Sequence, residues 1–403
     1  MLYHYFIFNV TILHMKTKIL FASAISLIFL ILFSCTKKSD NNISPDIVSW
    51  IKPIGFRNEN IGVENLTKKA DDGFLASGFI SYTDKTITHG FVINLDSNGD
   101  TIWCKKIDID VYPNNIVLYA TQKLSNEIII AGICSYASFK KQRFIAWLDA
   151  EGNLSKYLLF PIADNQFVVG CKLIPLEDGN LYFAANWRDS QDLTMAGYSV
   201  TIDLLDNAGQ VIRSKLYPGI LTEIEQLSLV ENGEILLIGS VAGQSSSSAD
   251  FLFLLIDGSG NEIYRRSFGT AAYDVGYSEC SDHKRGYIMS GMMTNLSKPV
   301  IYPVNSSGIP GNSIVVADSI FSTATIILAA GDGGYNVIIQ SASRLYFKKL
   351  GNDLRVKNTT WLDNPFGSNF SFNLREVFQI QDGSFAFLYY RYDPVIIKTV
   401  PMN

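Results

Sequence analysis

The stretch "LDSNGDTIWCKKI", Leu95–Ile107, joins two strand-like runs through a short polar segment. An apolar run ends at Leu95, the residues "DSNGD" follow, and a second run containing Ile, Trp and Cys begins at Thr101. Asp and Asn start tight turns through side-chain bonds to nearby amides, and Gly supplies the positive φ that closes a hairpin. The stretch therefore predicts two antiparallel β-strands joined by a turn at Gly99.

This turn signal recurs along the chain, and a second signal keeps step with it. The copies are "WLDAEGN" with Gly152, "LLDNAGQ" with Gly209, "LIDGSGN" with Gly260, and the weaker "PVNSSGI" with Gly308 and "KKLGNDL" with Gly351. The second signal is a "DG"-type turn at or near Gly73, Gly179, Gly233, Gly286, Gly334 and Gly383. Two turn signals that share a period of about 50 residues indicate a repeat architecture.

Each repeat contains four short apolar runs of strand length, enriched in β-branched and aromatic residues. Four antiparallel strands in about 50 residues are typical of one blade of a β-propeller. The third run of each repeat ends near Leu95, Leu148, Leu205, Ile256, Val304, Leu350 and Val400, which predicts seven blades. A lone strand-like segment, Asp46–Gly55, precedes the first repeat. We therefore predict an all-β, seven-bladed β-propeller over residues 47–403, closed by pairing of the N-terminal strand with the C-terminal blade.

The N-terminal segment has the pattern of a secretory signal. Lys16 and Lys18 follow Met15, the apolar stretch Ile19–Phe33 comes next, and "LFSC" ends at Cys35. An apolar stretch of this length is short for a membrane-spanning helix and suits a signal peptide. The segment resembles the lipoprotein signals of Bacteroidota, and an ordinary secretory signal with an incidental Cys is the alternative.

The lipoprotein resemblance implies cleavage before Cys35 and lipidation of its thiol, which would anchor the protein to a membrane. Residues 1–34 would then be an upstream extension plus signal peptide, with either Met1 or Met15 as the start, and residues 35–46 a polar tether. The repeats themselves resemble the "DGGY…LD.NG…W" propeller repeats of secreted and lipid-anchored Bacteroidota proteins. This resemblance implies a propeller fold and a location in the cell envelope, and members of this group mostly lack an assigned activity. We predict a ligand- or protein-binding or scaffold module at the bacterial outer membrane.

The composition excludes some functions and leaves others open. A formal net charge of −5 and a pI near 5.5 predict no nucleic-acid partner. After Cys35 only His89 and His283 remain, in different repeats, so a zinc site or a His-based triad is not expected, and we predict no cofactor. The alternative to a binding module is a glycan-active hydrolase or lyase, which would need converging carboxylates, Arg or Tyr at the channel mouth.

The first turn could also be read as a cation site. Asp96, Asn98 and Asp100 provide three side-chain oxygens within five residues. However, the other copies replace these residues by Ala, Gly, Ser or Gln, and a calcium loop needs several oxygen ligands at fixed offsets. We therefore interpret the segment as a turn, with a cation at this copy as the alternative.

The long connections between repeats, and between second and third strands, should all lie at one end of the strands. Function is concentrated in such variable loops on a rigid scaffold. Flat aromatic side chains there offer a large contact area to sugars or to protein partners, although ordinary loop packing also explains them. The candidate recognition face consists of Tyr82, Tyr112, Tyr136, Trp187, Arg188, Tyr273 and Phe366.

Overall fold

All regular elements among the described residues are β-strands. The computed structural model describes residues 48–54, 60–81, 87–109, 112–123, 125–136, 140–161, 166–189, 198–220, 224–230, 233–243, 248–282, 286–293, 298–317, 324–341, 343–363, 374–389 and 394–402. The predicted signal segment, Cys35 and the tether lie outside these ranges. Within them, no helix is long and apolar enough to span a lipid bilayer.

The strands have the spacing that the repeats predict. In chain order they are β1 (Val48–Pro53), β2 (Asn60–Lys68), β3 (Phe74–Ser81), β4 (Thr88–Leu95), β5 (Thr101–Ile107), β6 (Asn114–Gln122), β7 (Ile128–Tyr136), β8 (Lys140–Leu148), β9 (Leu154–Phe160), β10 (Gln166–Pro175), β11 (Leu181–Asp189), β12 (Tyr198–Leu205), β13 (Val211–Pro218), β14 (Gln226–Leu229), β15 (Ile235–Ala242), β16 (Ala249–Ile256), β17 (Glu262–Phe268), β18 (Asp274–Asp282), β19 (Gly286–Met293), β20 (Lys298–Asn305), β21 (Ile314–Val315), β22 (Ala324–Ala329), β23 (Tyr335–Gln340), β24 (Arg344–Leu350), β25 (Val356–Asp363), β26 (Leu374–Gln379), β27 (Phe385–Tyr389) and β28 (Val395–Thr399).

The strands pair as antiparallel meanders of four. The strands β2–β5 and β6–β9 form two meanders that one parallel bridge, between Thr88 and Asn114, joins into a larger sheet. The strands β10–β13, β14–β17, β18–β21 and β22–β25 form four separate sheets. In the remaining sheet the order is β1-β28-β27-β26, with β1 antiparallel to β28. The all-β class is confirmed, and the predicted pairing of the two ends of the chain is present as β1 on β28.

The hydrophobic core lies between successive meanders rather than inside any one of them. Leu75 and Val92 of the first meander share a cluster with Ile130 and Phe144 of the second. Equivalent clusters join the second meander to the third, and so on up to the sixth. Rings of Phe347 and Phe385 join the sixth meander to the seventh, with centroids 5.7 Å apart. Another cluster then joins the seventh to the first. The middle strands are apolar on both faces because both faces are covered.

The first strand of each meander contacts the first strands of its two neighbours. The contacts run from β2 to β6, β10, β14, β18, β22 and β26, and β26 also contacts β2. We call these seven strands the inner strands. The fourth strands lie at the opposite edge of each sheet, where side chains such as Ile102, Ile212 and Ile263 are exposed.

Most hairpin turns have the predicted backbone, but in four of the described turns the positive φ is at an unexpected residue. Two of these are Asp72 in place of Gly73 and Gly333 in place of Gly334. Gly99, Gly152, Gly209, Gly260 and Gly308 all adopt a positive φ, between 74° and 89°. In the sixth meander the residue with the positive φ is Leu354 (61°) rather than Gly351. The amide of Leu354 donates a hydrogen bond to Gly351 O, just as the amide of Gly99 donates one to Asp96 O, so Leu354 is the residue equivalent to Gly99. In the second meander, where the sequence lacks the "DG" Gly, Asn126 takes the positive φ instead.

The fourth strand of one meander binds the turn of the next. In the first meander, Trp103 Nε1 donates a hydrogen bond to Ala150 O (2.8 Å), and Lys105 Nζ donates one to Asn153 Oδ1 (3.0 Å). In the third meander, Lys215 Nζ reaches Asn261 Oδ1 in the same way, at 3.3 Å. The Trp and Lys positions of the repeat therefore hold neighbouring sheets together.

Candidate functional site

The inner strands surround a cavity of about 260 Å³. Six of the seven inner-strand segments contribute side chains to its wall. The polar members are Tyr119, Lys172, Glu225, Gln226, Tyr277, Ser278, Glu279 and Glu376. Because the first strands of six different repeats meet here, residues far apart in the sequence become neighbours. This cavity is the main candidate functional site.

Irregular pairing turns some of these side chains toward the cavity. Five inner strands break register with their partners, and the breaks lie at Val63/Asn65, Val117/Tyr119, Val168/Gly170, Gly276/Ser278 and Leu374/Val377. A β-bulge leaves a residue outside the ladder and re-aims its side chain. Tyr277 and Glu376 are such residues, and both line the cavity. The bulges therefore contribute two of the polar side chains of the lining.

An ion pair crosses the cavity wall between β10 and β26. Lys172 Nζ lies 3.2 Å from Glu376 Oε1, which also accepts a hydrogen bond from Asn65 Nδ2 of β2. Lys172 Nζ is 5.3 Å from the centre of the Tyr119 ring. Burial lowers the pKa of Lys172, but the attraction of Glu376 and of nearby Tyr119 outweighs it, so the pKa is raised overall. Lys172 is therefore a cation at neutral pH.

Glu279 is the most deeply buried carboxylate of the cavity. Its residue is 8% exposed. Gln226 Nε2 donates a hydrogen bond to Glu279 Oε1 (3.3 Å), and the Glu279 amide donates to Gln226 Oε1 (2.7 Å). Burial raises the pKa of Glu279 to about 7, against a smaller lowering from a hydrogen bond with Ser228. The side chain can therefore gain or lose a proton near neutral pH.

Two residues of the predicted recognition face, Arg188 and Tyr273, have Tyr198 as a common neighbour. The Arg188 guanidinium is 5.3 Å from the centre of the Tyr198 ring, and no hydrogen bond reaches its Nε. Tyr273 lies in the connection before β18, and its pKa is raised by burial and by nearby Tyr198 and Glu225. Glu225 lines the cavity. Tyr273 is therefore near both the cavity residue Glu225 and the pair of Arg188 and Tyr198.

The other predicted recognition residues have a different environment or fall outside the description. Trp187 is 7% exposed; its ring covers the guanidinium of Arg143 at 4.3 Å, and its Nε1 donates to Thr201 Oγ1. The Trp187 ring therefore packs between sheets rather than lying open at the loop surface. Tyr112 is partly buried and packs on the cluster between the first two meanders. Tyr82, Phe366 and the side chain of Tyr136 lie outside the described residues.

The first turn uses its acidic side chains internally. Asp96 Oδ1 accepts hydrogen bonds from the amides of Asn98 (2.9 Å) and Asp100 (2.8 Å), and the Asp100 carboxylate pairs with Lys52. The turn interpretation thus accounts for Asp96, Asn98 and Asp100 without a cation. In the described part of the chain, no group of three or more His, Cys, Asp or Glu residues is arranged to hold a metal ion.

The sequence did not reveal the cavity residues, because their separation along the chain hides them. Lys172 and Glu376 are 204 residues apart, and no short motif contains both. A signal was nevertheless present: polar or charged residues interrupt the first apolar run of several repeats, as in "GCKLIP", "YSECSD" and "LREVFQ". Such residues are unexpected on strands that otherwise pack on both faces.

The comparisons with known proteins are informative about the fold alone. No family model and no curated protein matches the chain. Among solved structures, BBS1N in complex with ARL6DN is 10% identical, with 88% of this chain and 97% of that one covered, and a TM-score of 0.50. A protein of unknown function from Dyadobacter fermentans is 8% identical, with coverages of 88% and 100% and a TM-score of 0.50. The WD40 domain of Neurospora crassa Pan2 is 8% identical, with coverages of 85% and 90% and a TM-score of 0.49. Neighbours of this kind have β-propeller or WD40-like folds.

Proposed function

We propose that the protein is a lipid-anchored, seven-bladed β-propeller that acts as a ligand- or protein-binding scaffold at the bacterial outer membrane. The observation that carries this proposal is the order of contacts among the inner strands, which runs through all seven meanders and returns from β26 to β2. Closure in this sense is contact between separate sheets, rather than one sheet closed on itself. A ring of this kind is a rigid support for variable loops.

A repeated contact supports ring closure. Lys52 of β1 pairs with Asp100 in the turn of the first meander, in the place that Lys105 and Asn153 occupy between the first and second meanders. The seventh meander therefore contacts the first as consecutive repeats do, through a Lys of the fourth strand and a polar residue at the same position of the turn. The fit depends on β1, since β1 is the fourth strand of the last sheet.

Deletion of residues 48–54 tests the ring. Without β1, the edge of β28 and the turn at Asp100 lose their partners, so we expect a lower melting temperature and self-association through the exposed edge. The double variant Lys52→Ala/Asp100→Ala is the matched control, because it removes only the surface pair and should melt within a few degrees of the parent. A deletion that melts like the parent and stays monomeric would contradict closure through β1.

The anchor part of the proposal rests on "LFSC" and Cys35. We expect the full chain, expressed in a Gram-negative host with radiolabelled palmitate, to carry label and to fractionate with the outer membrane. The Cys35→Ala variant should lose both properties, whereas Cys104→Ala should keep them. Label that persists in Cys35→Ala would exclude this anchor.

The scaffold part rests on the loop end near Arg188 and Tyr273. The BBS1N structure, which is similar in fold only, was determined in complex with ARL6DN, so a fold of this type can present a protein-binding surface. We expect Arg188→Ala/Tyr273→Ala to reduce capture of envelope proteins or glycans, with Glu151→Ala in a hairpin turn as the control. Equal capture by both variants and the parent would argue against this face.

A glycan-active hydrolase or lyase is the second candidate. It is favoured by one observation: Glu225, Glu279 and Glu376 line one cavity, and the pKa of Glu279 is raised by burial to about 7, which suits a proton donor. Turnover of envelope or dietary glycans by the parent that is lost in Glu279→Gln would support this candidate. Without such turnover, the scaffold function stands alone.

A further inference from the structure

We propose that Asp250 and Asp274 form a binding site for a calcium ion where the fourth meander connects to the fifth. Asp250 is on β16, the third strand of the fourth meander, and Asp274 is the first residue of β18, the inner strand of the fifth. The proposal goes beyond the scaffold function, because this site can bind an ion whether or not the loops bind a partner or Cys35 carries lipid.

The connection between the two meanders brings the two carboxylates together. Ala249 and Tyr273 form a parallel bridge, and Asp250 and Asp274, the next residue of each segment, are therefore adjacent. Both side chains reach Gly269 at the start of the connection: a Cβ placed on it would be 3.0 Å from Asp250 Oδ1 and 2.6 Å from Asp274 Oδ2. The two carboxylates therefore border one small space, which stays open because Gly269 has no side chain.

The Asp274 carboxylate is buried, and one of its two oxygens has no partner. The residue is 0% exposed. Its Oδ2 accepts a hydrogen bond from the amide of Thr270, whereas no hydrogen bond reaches its Oδ1. A buried carboxylate oxygen without a partner costs at least as much free energy as a lost hydrogen bond. This oxygen is the observation that points to a ligand, and a cation is the kind of ligand that would satisfy it.

Asp250 supplies a second carboxylate on the side of the site that solvent can reach. The residue is partly exposed. Burial raises the pKa of Asp250, and the nearby carboxylate of Asp274 raises it further. Two carboxylates this close repel each other when both are ionised, and a cation bound between them would remove that repulsion.

No side-chain cation of the described residues neutralises this pair. Among those residues, neither carboxylate forms an ion pair with Lys or Arg. Lys298 of β20 lies in the same row of the fifth sheet, but Met293 of β19 separates it from Asp274. The chain segments just before β16 and β20, residues 244–247 and 294–297, contain no Lys or Arg. The positive charge that the pair requires therefore has to come from a bound ion.

The oxygen ligands favour calcium over other cations. A divalent ion balances two carboxylates, and calcium accepts about six to eight oxygens from carboxylates, carbonyls and water in flexible geometry, whereas magnesium demands a near-ideal octahedron. Water can complete the coordination from the exposed side of Asp250. Two carboxylates are fewer than the groups of three or more that are absent from the described residues, so we expect weak binding, with a Kd of about 10⁻⁴–10⁻³ M.

A calcium ion at this site would hold in place the connection that contains Tyr273. The connection starts at Gly269, and its Thr270 amide is already bonded to Asp274 Oδ2. Ser240 Oγ of the fourth meander donates a hydrogen bond to Asp274 O at 3.3 Å. An ion shared by Asp250 and Asp274 would therefore add a further link between the fourth meander and the residue that follows Tyr273.

Calorimetric titration of the purified full chain with CaCl₂, after a chelator has removed divalent ions, tests the proposal. We expect saturable binding of about one ion per chain, with a Kd of about 10⁻⁴–10⁻³ M. Calcium at about ten times Kd should raise the melting temperature by roughly 2 °C. MgCl₂ should bind at least about tenfold more weakly, because magnesium gives up its water ligands reluctantly.

Variants decide whether the ion binds between the two carboxylates. Asp250→Asn keeps the shape and removes one charge, so it should weaken calcium binding at least about tenfold. Gly269→Ala keeps both charges but places a methyl group in the space between them, and it should also weaken binding. Asp100→Asn is the matched control: it removes a carboxylate from the first turn, the other acidic candidate, and should leave calcium binding unchanged.

Several results would overturn the proposal. These are the absence of calcium binding to the parent, equal binding of magnesium, and unchanged calcium binding in Asp250→Asn. Loss of calcium binding in Asp100→Asn would assign the ion to the first turn and would also overturn it. If Asp250→Asn fails to fold, Gly269→Ala decides in its place. Loss of palmitate labelling or of partner capture would leave these titrations unchanged, so the two proposals fail separately.

Discussion

The indole of Trp50, on the first strand of the chain, packs directly on Gly99 in the turn of the first meander. A Cβ placed on Gly99 would lie 2.5 Å from Cη2 of Trp50. Trp103 lies in the same way on Gly152, with 2.7 Å to the corresponding Cβ position. The Gly of the repeat thus has two functions, since it allows the positive φ of the turn and leaves room for the aromatic side chain of the neighbouring sheet.

Substitution at Gly99 should separate these two functions. Gly99→Ala adds a strained φ and a clash with Trp50, so we expect a loss of about 2–4 kcal/mol in the free energy of unfolding. Gly233→Ala is the matched control: it has nearly the same φ, 73° against 75°, but no atom within 4 Å of the added Cβ. The control should lose only about 1 kcal/mol. Equal losses in urea unfolding would mean that the contact with Trp50 contributes nothing.

Substitution of Asn126 tests the effect of a positive φ on stability where the side chain makes no packing contribution. It has a φ of 65° and an exposed side chain. Asn126→Ala should destabilise the protein by about 1 kcal/mol, because Ala tolerates the left-handed region poorly, while Asn126→Gly should change stability by less than about 0.5 kcal/mol. Ser125→Ala, one residue earlier in the same turn, serves as the control. A melting temperature for Asn126→Ala above that of Asn126→Gly would contradict the assigned turn.

Arg143 and Asp203 form a buried ion pair between the second and third meanders. Arg143 Nη1 lies 3.2 Å from Asp203 Oδ2, and the two side chains are 8% and 4% exposed. Asp203→Ala would leave the Arg143 charge buried without its partner, so we expect a loss of roughly 3–5 kcal/mol.

The exposed pair of Arg355 and Asp353 is the control for Asp203→Ala. Its side chains are 88% and 55% exposed. Asp353→Ala should change the free energy of unfolding by no more than about 0.5 kcal/mol, because solvent screens such pairs. The shift of the guanidinium unfolding midpoint from that of the parent measures the loss of stability in each variant. Similar shifts for Asp203→Ala and Asp353→Ala would contradict the prediction that burial makes the first pair more important.

Glu279 should make stability depend on pH. Burial raises its pKa to about 7, while an unfolded Glu titrates near 4.3. Between these values the folded chain holds a proton that the unfolded chain has lost, so stability falls as pH rises from about 4.3 to 7 and then levels off. The stability of Glu279→Gln should not fall in this way. The melting temperature of the variant minus that of the parent should therefore increase as the pH rises from about 4.3 to 7. Parallel melting curves from pH 4 to pH 8 would show that the carboxyl is not buried.

The repeat pattern predicted the strands and turns because these depend on residues close together in the chain. The third strands end at Leu95, Leu148, Leu205 and Ile256, where the sequence predicts them. The pairing of β1 with β28 was also predictable, since the segment around Trp50 copies the fourth strands. The positions predicted for the weaker turns were less accurate. In the sixth meander the backbone hydrogen bond from Leu354 N to Gly351 O, rather than the position of Gly351, determines which residue has the positive φ.

The amino-acid sequence by itself determined the all-β class, the four-strand unit and its turns, because alternation, β-branching and Gly positions act over a few residues. Only the tertiary structure decided which side chains share an environment. It placed Trp187 over Arg143 instead of on a loop surface, and it brought Lys172, Glu279 and Glu376 to one cavity from three distant repeats. Which side chains contact each other across sheets depends on how successive meanders pack. These contacts cannot be predicted from the spacing of the residues along the chain.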